Sequence, residues 1–192
     1  MIAIVDYDTG NLRSVQNALA RLGAEYALTC DPAAIRAADR VIIPGVGEAS
    51  ITMRKLRERR LEGVIKSLTQ PVLGICVGLQ LMCRHSEEGD VECMGIFDVQ
   101  VKKLDASGLK IPHMGWNTVE GLSTPLFEGI DEGGYFYYVH SYAPEICSRT
   151  IATTLYGSPF SGALARDNFF GTQFHPEKSG ALGERLLRNF LR

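Results

Sequence analysis

Residues 70–80 read QPVLGICVGLQ: an apolar run, a cysteine between two glycines, and then the start of a helical pattern. The run VLGIC has the length and composition of a buried strand, and its passage through G-x-C-x-G makes Gly74–Gly78 a strand-to-helix elbow, the turn on which hydrolases raise a nucleophile. Both glycines have a steric reason, because the backbones on either side of the raised residue approach one another and leave no room for Cβ atoms. Two readings of Cys76 fit this stretch equally. It is a nucleophile facing the positive end of a helix running from about residue 78, which favours thiolate, or it is a small buried hydrophobe, as free cysteines commonly are.

Before the elbow the pattern is βα throughout. IAIVDY (2–7) precedes NLRSVQNALARLG (11–23), in which Leu12, Val15, Leu19 and Leu22 recur at helical spacing and Gly23 supplies a stop. EYALTC then leads to PAAIRAAD, and RVIIP (40–44) to the charged segment MRKLRERRLEGVIKSL (53–68), read as one helix. The fold class predicted is α/β: a doubly wound, mostly parallel sheet flanked by helices, flavodoxin-like, with its ligand crevice at the carboxyl ends of the strands. Cys76 and the PGVG stretch (44–47) both lie at such ends. From residue 94 the pattern changes to IFDVQVKKL, YFYYVHSY, TIATTLYG, GALARDN and FFGTQF, which predicts additional antiparallel or mixed strands in the second half. ALGERLLRNFLR, with Leu182, Leu186, Leu187 and Phe190 on one stripe, closes the chain as a helix.

A chain of 192 residues with 45% apolar composition is expected to form one domain, residues 1–192. Twenty basic residues against 22 acidic ones, net charge −2, give no footprint for nucleic acid or an anionic membrane. No apolar stretch approaches the roughly 18 to 20 residues of a membrane span, and MIAIVDYDTGN lacks a basic leader, so a cytoplasmic location is expected. The five cysteines, Cys30, Cys76, Cys83, Cys93 and Cys147, are odd in number and lack C-x-x-C spacing, which suggests neither a disulfide framework nor a metal site. Neither G-x-G-x-x-G nor a P-loop occurs, and no cofactor is expected.

A nucleophilic cysteine needs a base, and His175 is the strongest candidate among His85, His113, His140 and His175. In His175-Pro176-Glu177 an extended chain would place imidazole and carboxylate on one side, so that Glu177 fixes the tautomer while the other ring nitrogen faces the thiol. Alone, H-P-E reads as a strand end with a solvated carboxylate; joined to the elbow it reads as base and orienter. Oxyanion donors would be the N–H of Val77 and a peptide of Gly45-Val46-Gly47, whose glycines let it rotate. Cys83, two turns along the same helix, reads as packing, and His140 as a satisfied histidine in an aromatic strand.

PGVG, GICVGLQ and QFHPEKS, in this order, resemble the class I glutamine amidotransferases over essentially the whole chain. DYDTGNLRSV (6–15), PHMGWN (112–117) and YVHSY (138–142) narrow the resemblance to the glutaminase subunits of imidazole glycerol phosphate synthases. The resemblance implies that Cys76 attacks the side-chain amide of L-glutamine, that His175 shuttles the proton and that Glu177 orients His175. It implies that Gln80, Glu88 and the backbone of His140, Ser141 and Tyr142 hold the substrate. It implies that the ammonia passes to a (β/α)₈ barrel cyclase subunit serving histidine biosynthesis, which Trp116, Tyr138 and Lys178 would face, and whose ligand would favour the active orientation of the 45–47 loop. Without the resemblance Trp116 reads as core. The departures are modest: Val77 and Leu79 stand where Leu and Met are more usual, and Glu48-Ala49-Ser50 follow PGVG. Two other classes remain open at this point: a different cysteine hydrolase or a glutaminase serving another synthase, and a catalytically silent α/β binding module.

Overall fold

The computed structural model describes residues 1–8, 12–45, 47–106 and 108–192. The first half alternates as its pattern requires: β1 (Ile2–Val5), α1 (Arg13–Arg21), β2 (Tyr26–Thr29), α2 (Pro32–Ala37), β3 (Arg40–Ile43), α3 (Ala49–Glu58), α4 (Leu61–Lys66), β4 (Val72–Ile75) and α5 (Val77–Met82). Every residue of β1 and β4 is buried, as befits parallel strands covered on both faces. Local signals fix the ends. Gly23 takes φ +69 after α1, and Asp31 caps α2 by accepting from the Ala33 and Ala34 N–H groups at 3.1 and 3.3 Å, with Pro32 in the first turn.

The second half supplies β5 (His85–Ser86), β6 (Val91–Glu92), β7 (Gln100–Lys103), β8 (His113–Val119), β9 (Gly134–His140), β10 (Tyr142–Pro144), β11 (Thr150–Tyr156), β12 (Ser158–Arg166), β13 (Phe169–Thr172) and α6 (Gly180–Phe190). The main sheet has the order β11-β12-β13-β4-β3-β1-β2. Its pairs from β13 to β2 are parallel, and the β12–β13 and β11–β12 pairs are antiparallel. A smaller sheet runs β10-β7-β5-β6, and β8 and β9 form a separate antiparallel ribbon. This is the expected mostly parallel sheet with mixed strands added in the second half. No described helix is long and apolar enough to cross a membrane.

Two helices differ from expectation. The 53–68 segment is not one helix: α3 begins earlier, at Ala49, and Arg60, in the left-handed region at φ 56, separates it from α4. Leu56 and Leu61, five residues apart, would lie on different faces of one continuous helix, and the break lets both be buried. The helix after the elbow stops at Met82, so Cys83 is its extended C-cap and not an interior residue, although it is fully buried as its packing role requires.

Candidate active site

The elbow is built by close backbone approach. A Cβ on Gly74 would lie 2.7 Å from the Gly78 carbonyl carbon, and one on Gly78 only 2.0 Å from the Ile43 oxygen at the end of β3. Between them Cys76 is held at φ 52, ψ −110, a conformation that a side-chain-bearing residue rarely takes and that marks strain maintained by its surroundings. Gly45 abuts the same turn, where a Cβ would meet Gly78 N at 2.1 Å and Val77 N at 2.6 Å. Packing at this turn therefore requires a glycine at position 45. In the same stretch Gly47, at φ +102 with a Cβ meeting only Thr52 Oγ1 at 4.0 Å, needs glycine for its conformation, and Val46 lies outside the described residues, as do Thr9 to Asn11 of the DYDTGNLRSV stretch.

His175 reaches Cys76 because β13 runs parallel to β4, with Thr172 opposite Ile75 and the Cys76 N–H donating to the Thr172 carbonyl at 2.7 Å. His175-Pro176-Glu177 is not extended as expected. Residues Pro176–Lys178 form a 3₁₀ turn, and this turn brings Glu177 Oε1 to 2.8 Å from His175 Nδ1, each side chain 3% exposed. Burial alone would push the imidazole pKa down, but the Cys76 sulfur on one side and Glu177 on the other more than offset it and raise it to about 10. Nε2 makes no hydrogen bond of normal geometry, so its interaction with the sulfur is electrostatic in this arrangement.

A cavity of about 340 Å³ gathers Cys76, Val77, His175, Gln80, Glu88, Gly45, Gly47, the His140–Tyr142 stretch and Lys178. Gln80 is buried; its Nε2 donates to the Tyr142 carbonyl at 2.8 Å and to Gln173 Oε1 at 3.1 Å, while its Oε1 has no partner. Glu88 Oε2 accepts from Ala49 N–H at 2.9 Å, and burial raises its pKa. His140 and His113 are neutral, burial pushing them down to about 3 and about 4.

Tyr138 is not where a partner could touch it. It is fully buried, its hydroxyl 2.6 Å from Thr154 Oγ1 and its ring stacked on His113 with centroids 4.8 Å apart. Strand parity gives the outward position to Tyr137, which pairs with Trp116 across the β8–β9 ribbon and meets it edge-on at 6.1 Å. Lys178 Nζ lies 5.9 Å from the Tyr137 ring centroid. Trp116 is 55% exposed, so the core alternative for it fails. Its neighbours on this face, Met114 and Tyr135, are exposed as well.

Sequence reasoning gave no role to three residues here. Ser179 donates to the His175 carbonyl at 2.6 Å and accepts from the Tyr137 N–H at 3.0 Å. Gln173 and His113 are buried beside the cavity residues, and the one available signal was a polar residue, Gln173, within the apolar strand FFGTQF.

The family model for glutamine amidotransferase class-I matches residues 3–192. The imidazole glycerol phosphate synthase subunit HisH of Bacteroides thetaiotaomicron is 55% identical over 99% of this chain and 98% of its own length, and the protein of the same name from Escherichia coli K12 is 50% identical over the same shares. Among solved structures, a glutamine amidotransferase superposes with a TM-score of 0.77 over 100% of this chain and 97% of that one at 18% identity, a likeness of fold. A cysteine raised on a glycine elbow beside a carboxylate-held histidine, in a chain matched by that family model from end to end, leads to one conclusion: the chain belongs to the class I glutamine amidotransferase family.

Proposed function

We propose that the chain is the glutaminase subunit of an imidazole glycerol phosphate synthase, hydrolysing L-glutamine to glutamate and ammonia and passing the ammonia to a (β/α)₈ barrel cyclase subunit in cytoplasmic histidine biosynthesis. The observation that carries the chemistry is the buried His175, clamped by Glu177 at 2.8 Å on Nδ1 with Nε2 left open beside Cys76. The relatives' name supports the pathway.

His175, its pKa raised beside Cys76 and Glu177, takes the thiol proton onto Nε2 as the nucleophile forms. The sulfur pair attacks the amide carbon, and the carbonyl π pair moves onto oxygen, where the Val77 N–H and a peptide of Gly45-Val46-Gly47 stabilise it. Nε2 gives its proton to the amide nitrogen, the C–N bond breaks, and ammonia leaves a thioester on Cys76. Water then loses a proton to Nε2 as it adds to the thioester, and collapse returns glutamate and the thiolate. Glu88 faces the substrate ammonium, and the partnerless Gln80 Oε1 accepts a substrate N–H. The cyclase covers the Trp116–Tyr137–Lys178 face, and its ligand biases the 45–47 turn by differential contact through that face. Lys178 belongs to both cavity and face, which makes it the shortest link between them.

Cys76→Ala tests the reading. The reconstituted complex should lose glutamine-dependent synthesis and keep synthesis from ammonium salt; glutamine turnover by the variant would refute Cys76 as nucleophile.

A further inference from the structure

A file of hydrogen bonds, buried where it nears the nucleophile, leads from β8 to Cys76, and each of its directions is forced. His140 Nδ1 faces the Tyr142 carbonyl at 2.9 Å, an oxygen that can only accept, so Nδ1 carries the proton and Nε2 is a lone pair. His113 Nδ1, 3.0 Å from that lone pair, must therefore donate, which leaves His113 Nε2 as an acceptor for Asn117 Nδ2 at 3.3 Å. Asn117 is itself fixed the same way round. Its Nδ2 also donates to the Leu155 carbonyl at 2.9 Å, and its Oδ1 accepts from the Thr118 N–H at 2.8 Å.

From the other side, the same Tyr142 carbonyl forces Gln80 to present Nε2, at 2.8 Å. The second hydrogen of that nitrogen goes to Gln173 Oε1 at 3.1 Å, and Gln173 must then turn its own Nε2 toward Cys76 Sγ, 3.5 Å away. Amide orientations are normally a matter of assignment. Here carbonyl oxygens anchor them. Gln173 is fully buried, so no water competes for its donor.

We infer that Gln173 is a catalytic residue that donates a hydrogen bond to the Cys76 sulfur, and that the Asn117–His113–His140–Tyr142–Gln80 chain positions its amide for that task. The inference rests on Cys76 being the nucleophile proposed above. An N–H aimed at the sulfur favours the thiolate over the thiol and over the thioester, in which the sulfur carries no charge, so it assists both formation of the nucleophile and its expulsion in the second half of the reaction. Neutral histidines suit the chain: burial holds His113 and His140 down to about 4 and about 3, so the donor order persists at any ordinary pH.

The test uses the full chain with its partner and reads two quantities. One is the rate at which iodoacetamide alkylates Cys76, followed on the Cys76 peptide by mass spectrometry; the other is the split between kcat and KM for glutamine. Gln173→Leu keeps the volume and removes the donor, and alkylation and kcat should both fall roughly tenfold or more while KM moves less, since a hydrogen bond to a charged group is at stake. Gln173→Asn retracts the amide by one methylene and should behave alike with a gentler demand on folding. His113→Phe keeps a ring stacked between Tyr138 and Tyr156, 4.8 and 4.0 Å away by centroid, but cuts the file; a loss of about threefold in both rates is expected, below that of a direct contact. Wild-type alkylation and kcat in the Gln173 variants would overturn the assignment, and wild-type values in His113→Phe would overturn the positioning chain. Failure of wild-type Cys76 to alkylate faster than buried Cys83 would instead sink the nucleophile reading, and this inference with it.

Discussion

The two walls of the cavity are held by different physics. The elbow wall, Gly74–Gly78 against Ile43 and Gly45, is set by backbone packed on backbone, with distances that admit no Cβ at three glycines. The opposite wall, the β8–β9 ribbon, pairs as a strand only with itself among the described residues apart from the Glu120–Thr153 bridge, and hydrogen bonds tie it to the site: the His175 N–H donates to the Tyr137 carbonyl at 2.9 Å, Ser179 Oγ accepts from the Tyr137 N–H at 3.0 Å, the Cys76 sulfur lies 3.8 Å from the Val139 carbonyl, and the His113–His140 pair links its two strands. A steric wall tolerates no change of volume. A hydrogen-bonded wall tolerates volume and depends on protons and donor direction.

Gly78→Ala should break the first wall. With Ile43 O only 2.0 Å from the new Cβ, the elbow must open at a cost of about 3 kcal/mol, a fall in Tm of roughly 10 °C, with glutaminase activity lost in the folded fraction. Wild-type melting and turnover would show the elbow to be soft.

On the ribbon, the outer and inner faces should separate cleanly. Trp116→Ala and Tyr137→Ala should each weaken cyclase binding by about 2 kcal/mol, read by calorimetric titration, with the Tm of the free chain moved little because the side chains are exposed or half-buried. Unchanged affinity would put the partner elsewhere.

Acid should loosen the ribbon wall before the elbow. His113 and His140 titrate near 4 and 3 in the folded chain against about 6.5 unfolded, so the unfolded chain binds more protons below pH 6.5 and stability falls as pH drops. Between pH 6.5 and 5.5 the loss is about 1 kcal/mol per histidine, and His113→Phe should remove one share of that slope in denaturant titrations. His175 has the opposite sign: raised to about 10, it contributes stability that is complete below about 6.5 and disappears as pH rises through about 10. A pH-independent midpoint from 6.5 to 5.5 would mean that the pair is solvated.

The smallest effect sharpens the face assignment. Tyr138→Phe removes a hydroxyl that meets Thr154 Oγ1 at 2.6 Å and should cost about 1 kcal/mol in stability, with cyclase affinity unchanged. A drop in affinity without loss of stability would restore Tyr138 to the partner face.

How much of this was legible follows the same division. The βα units, the elbow and its glycines could be read from 2–78, because buried strands, caps and close approaches leave their mark in neighbouring residues. The ribbon could not. YFYY offers no alternation of polar and apolar residues, so nothing local says which tyrosine faces in, and one position of slip exchanges Tyr137 for Tyr138. The break at Arg60 was hidden because a charged amphipathic run continues through it. His113 and His140 are 27 residues apart and Gln173 and Cys76 are 97 apart, and such pairings exist only after the strands have found their order.

The parallel register of β4 and β13 carries a consequence for tolerance. Base and orienter sit in one tight turn and travel as a single piece, while the sulfur belongs to the neighbouring strand, so the assembly has one adjustable joint, the ladder that pairs Ile75 with Thr172. The Cys76 amide at 2.7 Å from the Thr172 oxygen is the last rung of that joint. Its hydrogen-exchange protection is therefore a gauge for alignment of Cys76, His175 and Glu177, readable without substrate or partner.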